Sequence, residues 1–328
     1  MVLPPFLRFA QTPTPLEKLR FDHPAQVTLY LKRDDLTGSV LSGNKARKLE
    51  FIFAEILKQK ADTVITCGGV QSNHARATSI LAAKFGLQTV LFLHPIPENS
   101  QAADGNLFLD RLVGAEVRFI SDHQYLSVDR LMEETKAGLQ RQGRRPYIIP
   151  EGASSELGVW GYITAAKELK AQCRKAGLKP DRIVTAIGSG GTYAGLLIGT
   201  KLWKWPVRIT GFNVCYDAPY FHNRIAGLIE RTLAAYRLKV KINPEEIDIR
   251  DGYVGAGYAR SRTEELALIH EVARQTGVIL DPTYTGKAMF GLLDQLQKGD
   301  LSPKEKIIFL HTGGLFGLFP LREKIPGI

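Results

Sequence analysis

The chain has 328 residues, 44% of them hydrophobic and 9% aromatic, which suits a large core in one large or two moderate domains. Its net charge of +10 invites a nucleic-acid partner, but 43 lysines and arginines are scattered among 33 acids, and the densest cluster, "RQGRRP", reads as a helix end and turn. Without a zinc-finger spacing, an RNP-like aromatic run or a long basic helix, nucleic acid is excluded as the expected partner, and the positive field is read as drawing in small anions.

The first segment, "MVLPPFLRFAQTPTPLEKL", is broken by prolines and lacks the apolar core and basic flank of a signal peptide. No apolar run approaches a membrane span, so a cytoplasmic protein without a membrane partner is expected. After "SGNK" a helix is predicted, because Leu49, Ile52, Phe53, Ile56 and Leu57 recur at helical spacing. "TVITCGG" is then a buried-type strand, "SNHARATSILAAKFG" a helix, "QTVLFLH" a strand, and "GNLFLDRLVG" a helix ended by Gly114. "EVRFIS", one helix and "YIIPEG" follow. The helix "ELGVWGYITAAKELKAQCRKAG" leads into strand, glycine turn and helix in "DRIVTAIGSGGTYAGLLIGTKLW". "VRITGFNV" and "KIIFLHTGG" repeat the apolar-strand style. Such strands, separated by helices, predict an α/β fold of mostly parallel sheet flanked by helices. Cys67, Cys173 and Cys215 lie far apart with no CxxC pair, which argues against disulfides and structural zinc and for a reducing compartment.

Ligands of open α/β sheets gather at the carboxyl ends of strands. Four turns occupy that position: "CGGVQSNH", "PEGASSELG", "IGSGGTYAG" and "HTGGLFG". In the third, Gly188, Gly190 and Gly191 let backbone N–H groups converge, and Ser189 and Thr192 add hydroxyls at a helix start. It matches neither the dinucleotide fingerprint nor a Walker A motif, which leaves a site for a single phosphate or a plain turn between packed elements. Ser72 and Asn73 open another helix, either as its cap or as a site for a substrate carboxylate. His74 has no partner at metal spacing, and no metal is expected. Tyr284 and Tyr258 follow turns and read equally as packed rings. Lys45 is the oddity: a lysine at a helix N-terminus opposes the macrodipole.

Taken together, Lys45 after "SGN", "VQSNHAR", "AIGSGGTYAGLL", "LDPTYTGKAM" and "FLHTGG" resemble, in order, the pyridoxal-phosphate enzymes of the tryptophan-synthase-β-like fold (fold type II). The closer likeness is to the branch with 1-aminocyclopropane-1-carboxylate (ACC) deaminase and D-cysteine desulfhydrase, and it runs from "TPTPLEKL" and "YLKRDDLTG" to "HTGG". The resemblance implies two open twisted sheets with pyridoxal 5'-phosphate in the cleft between a large domain (1–47 and 156–328) and a small one (48–155), in a homodimer. It implies that Lys45 holds the cofactor covalently, its neutral form favoured by nearby cations and the helix N-terminus. By the same likeness the phosphate sits on Gly188, Ser189, Gly190, Gly191 and Thr192, Asn73 faces the phenolic oxygen, and Thr312 approaches the pyridine nitrogen. Ser72, Asn73, His74, Tyr258 and Tyr284 are the implied substrate contacts, with Lys45, Ser72, Tyr258 and Tyr284 catalytic.

The deaminases of this family carry an acid directly after the tyrosine matched by Tyr284 and a leucine where Thr312 stands; this chain has Thr285 and Thr312. A hydroxyl at the pyridine nitrogen leaves it largely unprotonated, a weaker electron sink that suits early departure of a good leaving group. The expected reaction is α,β-elimination on a small D-amino acid, D-cysteine foremost, giving pyruvate, ammonia and hydrogen sulfide. The alternatives are ACC ring opening to 2-oxobutyrate and ammonia, and a cofactor-binding protein without turnover. "GYARSR" and "PEGASSELGVWGY" depart from the family's usual loops, and both bear on the shape of the substrate pocket.

Overall fold

Apolar strands buried on both faces assemble into two separate sheets. The computed structural model describes residues 2–23, 27–97 and 103–327. The N-terminal part forms β1 (Leu16–Lys18), β2 (Thr28–Arg33) and α1 (Asn44–Lys58). Next come β3 (Thr63–Gly69), α2 (Asn73–Lys84), β4 (Gln88–His94), α3 (Gly105–Leu112), β5 (Glu116–Phe119), α4 (Asp122–Tyr125), α5 (Val128–Arg141) and β6 (Pro146–Ile148). The rest contains α6 (Trp160–Lys175), β7 (Arg182–Ile187), α7 (Gly191–Leu202), β8 (Arg208–Asn213), α8 (Ala218–Ala235), β9 (Asp248–Arg250), α9 (Thr263–Thr276), α10 (Thr285–Lys298) and β10 (Lys306–His311).

The smaller sheet has the order β5-β4-β3-β6 and is parallel throughout. Every residue of "TVITCGG" is buried, as a central strand covered on both faces requires. The larger sheet runs β1-β2-β10-β7-β8-β9, antiparallel only at β1. Its two faces carry separate cores. Trp160, Tyr162, Tyr193 and Phe221 from α6, α7 and α8 lie in one, and Phe212, Met289, Leu292 and Phe309 in the other. Each such side chain contributes about 1.5–3 kcal/mol on burial. The expected architecture, two mostly parallel sheets flanked by helices, is the observed one.

Local departures have physical causes. The single helix expected after "EVRFIS" is two, because a capping box between Ser121 and Gln124 starts one short turn and the chain leaves helical geometry at Ser127 (φ −120°, ψ 26°). The α-helix in "ELGVWGY" begins only at Trp160. β2 was masked in the sequence by Lys32, which is 1% exposed and pairs with Glu168 and Gln172 on α6.

That lysine belongs to a buried network that anchors α1. Arg47 donates to both oxygens of Asp34 at 2.9 Å and to Glu168 at 2.9 Å, and Thr14 Oγ1 donates to Asp34 at 2.7 Å. Burial would raise the Asp34 carboxyl, but Arg47 and Lys32 outweigh it and hold it below the ordinary range. Among the described residues no helix is long and apolar enough to cross a membrane, and no cluster of metal-binding side chains occurs.

Candidate active site

The start of α1 is stitched to two other strand ends. Gly43 is left-handed (φ 94°), and a side chain there would meet the Thr312 carbonyl at 2.7 Å. Asn44 N donates to that same carbonyl at 3.0 Å, while Asn44 Nδ2 donates to Thr192 Oγ1 at 3.0 Å. Lys45, the next residue, therefore stands between the turn after β10 and the start of α7. It lines one cavity with Asn44, Asn73, Ala186, Gly188, Ser189, Gly190, Thr192, Tyr193, Tyr284 and Thr312. Eight residues singled out in the sequence thus meet in one place, drawn from five segments of the chain.

Lys45 has no hydrogen-bond or ion-pair partner among the described residues. Burial lowers its ammonium to about 8, against the smaller opposing pull of Glu151 and Asp281. The neutral amine is thus within reach near physiological pH. The cause is burial rather than the nearby cations that the sequence suggested. Lys48 is such a cation. Its Nζ donates to Gly152 O and Ser154 Oγ, both at 3.1 Å, and burial together with Lys45 and Arg224 lowers it well below the ordinary lysine value.

The glycine turn leads into the N-terminus of α7, whose first N–H groups lack partners within the helix. Gly190, its N-cap, sits at φ 87°, where any other residue is strained, and an added Cβ would meet Ile225 at 2.9 Å. Ser154 Oγ lies 2.8 Å from Ser189 Oγ and accepts from Gly191 N at 3.2 Å. Arg224 Nε donates to Ser189 O at 3.3 Å, and its Nη2 donates to Glu151 at 3.2 Å. Backbone donors, two hydroxyls, Lys48 and Arg224 surround the turn, a setting for phosphate.

At α2, Ser72 is the N-cap and accepts from Ala75 N at 3.2 Å, leaving its own proton to give. His74 turns into the small sheet: its ring is 2% exposed and bonds Thr66 Oγ1 at 2.8 Å. Thr66 already donates to Ile149 O at 2.7 Å, so the His74 Nε2 carries the proton and Nδ1 is a bare, buried acceptor. Burial and the charges of Lys45 and Lys48 keep this ring neutral.

Tyr258 and Tyr284 come together, hydroxyl to hydroxyl, at 2.6 Å. Tyr284 packs on Gly188 and Tyr258 on Gly69, at both of which a side chain would collide with the ring (2.7 and 2.6 Å). Burial raises both phenols above their ordinary value. Tyr284 is set by Asp281, whose carboxylate accepts from the N–H groups of Thr283, Tyr284 and Thr285 and from Thr285 Oγ1. Thr285 is fully buried, and its oxygen also accepts from Asp281 N at 2.8 Å. Its hydroxyl is committed on both sides, so of the two threonines only Thr312 reaches the cavity.

Sequence reasoning missed Asn44, Lys48, Ser154, Glu151 and Arg224. Glu151 and Ser154 lie in "PEGASSELG", a turn the sequence did mark, and Lys48, at i+3 from Lys45, shares that residue's helix face; Arg224 left no signal. The donor-rich lining, with an unpaired lysine at one side and no carboxylate in the wall, fits an aromatic aldehyde that carries a phosphate.

The family model for pyridoxal-phosphate dependent enzymes matches residues 7–313. The chain is 43% identical over 322 residues (94% of it, 78% of the relative) to the mitochondrial bifunctional D-cysteine desulfhydrase/1-aminocyclopropane-1-carboxylate deaminase of Arabidopsis thaliana. It is 41% identical over 315 residues (95% and 97%) to a putative 1-aminocyclopropane-1-carboxylate deaminase of Thermotoga maritima. The crystal structure of an ACC deaminase homologue superposes with a TM-score of 0.89 at 36% identity, covering 98% of this chain and 95% of that one.

Proposed function

The chain belongs to the pyridoxal-phosphate dependent enzyme family, a lyase of the ACC deaminase and D-cysteine desulfhydrase group, and on that premise we propose that it eliminates hydrosulfide from D-cysteine. The cofactor is pyridoxal phosphate, which when bound supplies the sink for the electron pair left at the substrate α-carbon. Lys45 holds it covalently, the α7 turn from Gly188 to Thr192 holds its phosphate, and Asn73 offers Nδ2 to its ring oxygen. Ser72 and the free N–H groups of α2 hold the substrate carboxylate. Once free, the Lys45 amine, lowered to about 8 by burial, would take the α-proton, and the tyrosine pair would cover the substrate and give one proton to the departing hydrosulfide; water would convert the remaining enamine to pyruvate and ammonia. The strands of the small sheet all lie within 63–148, which supports a small domain inside 48–155, although α1 runs unbroken across 47/48. Three free cysteines support a reducing compartment.

The observation that carries the substrate is the cavity wall: it contains Thr312 and no carboxylate, and the nearby Asp281 spends its oxygens on four donors within α10 and the turn before it. Cleaving a carbon–carbon bond of a cyclopropane demands a stronger sink than expelling an acidic thiol. ACC deamination is the second reading, favoured by the names of both relatives. Steady-state assays on D-cysteine, L-cysteine, D-serine and ACC, reading sulfide, pyruvate and 2-oxobutyrate, decide between them. We expect kcat/KM for D-cysteine at least about tenfold above that for ACC, about 1.4 kcal/mol of barrier. ACC turnover equal to or faster than D-cysteine turnover overturns the assignment.

A further inference from the structure

We propose that Arg76 and Asn106 are positioning residues that fix which way round the Asn73 amide sits, so that its nitrogen and not its oxygen faces the cofactor cavity. The inference rests on the reading of that cavity given above and adds two residues to it.

The two ends of an asparagine amide have nearly the same shape, so only their partners set the orientation. Here the partners leave one solution. Arg76 Nε, which can only donate, is 2.7 Å from Asn106 Oδ1. The Asn106 nitrogen is thereby turned the other way, where it donates to Gln71 O at 2.9 Å and Asn73 Oδ1 at 3.1 Å. Gln71 O can only accept, so it enforces the same orientation independently. With its oxygen taken by Asn106, Asn73 has Nδ2 left over. That nitrogen has no partner among the described residues, in a side chain that lines the cavity.

The reference point is rigid. Arg76 is fully buried, donates to the carbonyls of Val40 and Ser42, and lies 4.9 Å over the Phe316 ring. Burial lowers its guanidinium only to about 10, so it stays charged, and donor-only, at neutral pH. Orientation thus passes from a residue outside the cavity, through Asn106 on α3, to the one amide group that meets the ring oxygen. Reversed, Asn73 would set one lone pair against another.

The test uses the full chain loaded with pyridoxal phosphate, without substrate. The visible absorption band is followed against pH, and cofactor affinity is measured, for wild type, Asn106→Asp, Asn73→Ala and the double variant. A carboxylate at 106 keeps the Arg76 contact but accepts where Asn106 donated, which turns Asn73 around. We expect Asn106→Asp to shift the pH midpoint of the band in the same direction as Asn73→Ala and to weaken cofactor binding about tenfold. The double variant is expected to shift no further than Asn73→Ala alone, since both act through one group.

A wild-type band in Asn106→Asp, or shifts that add in the double variant, overturns the proposal. Ser79→Ala tests for mere disturbance of the α2–α3 packing: the Ser79 hydroxyl donates to Asp110 at 2.6 Å in the same buried cluster and has no bond to Asn106 or Asn73. If it moves the band as far as Asn106→Asp does, the proposal fails. Near-ultraviolet circular dichroism checks folding, and Asn106→Ser carries the comparison if Asn106→Asp does not fold. A wild-type chain that takes up no cofactor sinks the cavity reading itself, a result distinct from the others.

Discussion

The Asn44 side chain donates to Thr192 Oγ1 at 3.0 Å, joining positions 148 residues apart in the chain. The residue beside Lys45 is tied in this way to the start of α7, where we propose the phosphate binds. On that proposal, attachment and phosphate binding would share one fixed spacing, and damage at either end should be felt at the other.

Gly190→Asp is expected to cut pyridoxal-phosphate affinity by about 1.5–3 kcal/mol, the cost of a charge-assisted bond to phosphate. The new side chain would also need φ 87° and would run into Ile225. Cofactor titration measures this, and wild-type affinity in the variant refutes the placement of the phosphate.

Lys45→Ala should lose the visible band that borohydride reduces. In the wild type, covalent capture should quicken about tenfold per pH unit and level off above a pH of about 8, because only the neutral amine attacks. A reducible lysine adduct in Lys45→Ala at full occupancy would place the attachment elsewhere.

The same lysine links stability to pH in the cofactor-free protein. Its folded value of about 8 lies below the ordinary 10.5, so between these values the unfolded chain binds more protons and stability rises with pH. Below pH 8 the full penalty of the buried charge is present. Lys45→Met is therefore expected to be more stable than wild type at pH 7, by up to about 3 kcal/mol, with the gap closing by pH 10.5. Urea unfolding at pH 7 and pH 10 measures it; a constant gap contradicts the argument.

Tyr258 and Tyr284, at 2.6 Å, share one hydrogen bond and act as a unit. Phenylalanine at either position should lower kcat by about a hundredfold, and the double variant should fall well short of the product of the two losses. Strictly multiplicative losses would mean two independent tyrosines.

Ala259 occupies left-handed backbone, at φ 55°, next to Tyr258. Replacing it with glycine removes about 1–2 kcal/mol of strain and costs about 0.5–1 kcal/mol in chain entropy, a net gain of about 0.5–1 kcal/mol. Thermal unfolding of the variant tests the sum, and a destabilised Ala259→Gly would contradict it.

The sequence made the strands and the cavity legible for one reason: parallel strands buried on both faces must be apolar, and the turns after them must be polar or glycine-rich. "TVITCGG", "DRIVTAIG" and "KIIFLHTGG" announced themselves on that basis, and their turns met where they ended. β2 stayed hidden because Lys32 owes its burial to Glu168, 136 residues away. Arg76 and Asn106 were invisible for the same reason, since a bond between remote side chains leaves no periodicity. Thr285 was legible as a residue but its role was not read, although the Asp281 that uses up its hydroxyl stands only four residues upstream in "LDPTYTG".

The order of strands also dictates an order of assembly on the ribosome. Every partner of the small sheet lies between residues 63 and 148, so that unit can pair its strands while the rest is still being translated. β2 has no such freedom, because its parallel partner is β10, nearly three hundred residues downstream, with register Lys306 to Thr28. Thr312, the cavity residue next after β10, emerges with it. Nascent chains stalled before residue 306 should hold a formed small sheet, an unpaired N-terminal hairpin and no capacity to capture pyridoxal phosphate.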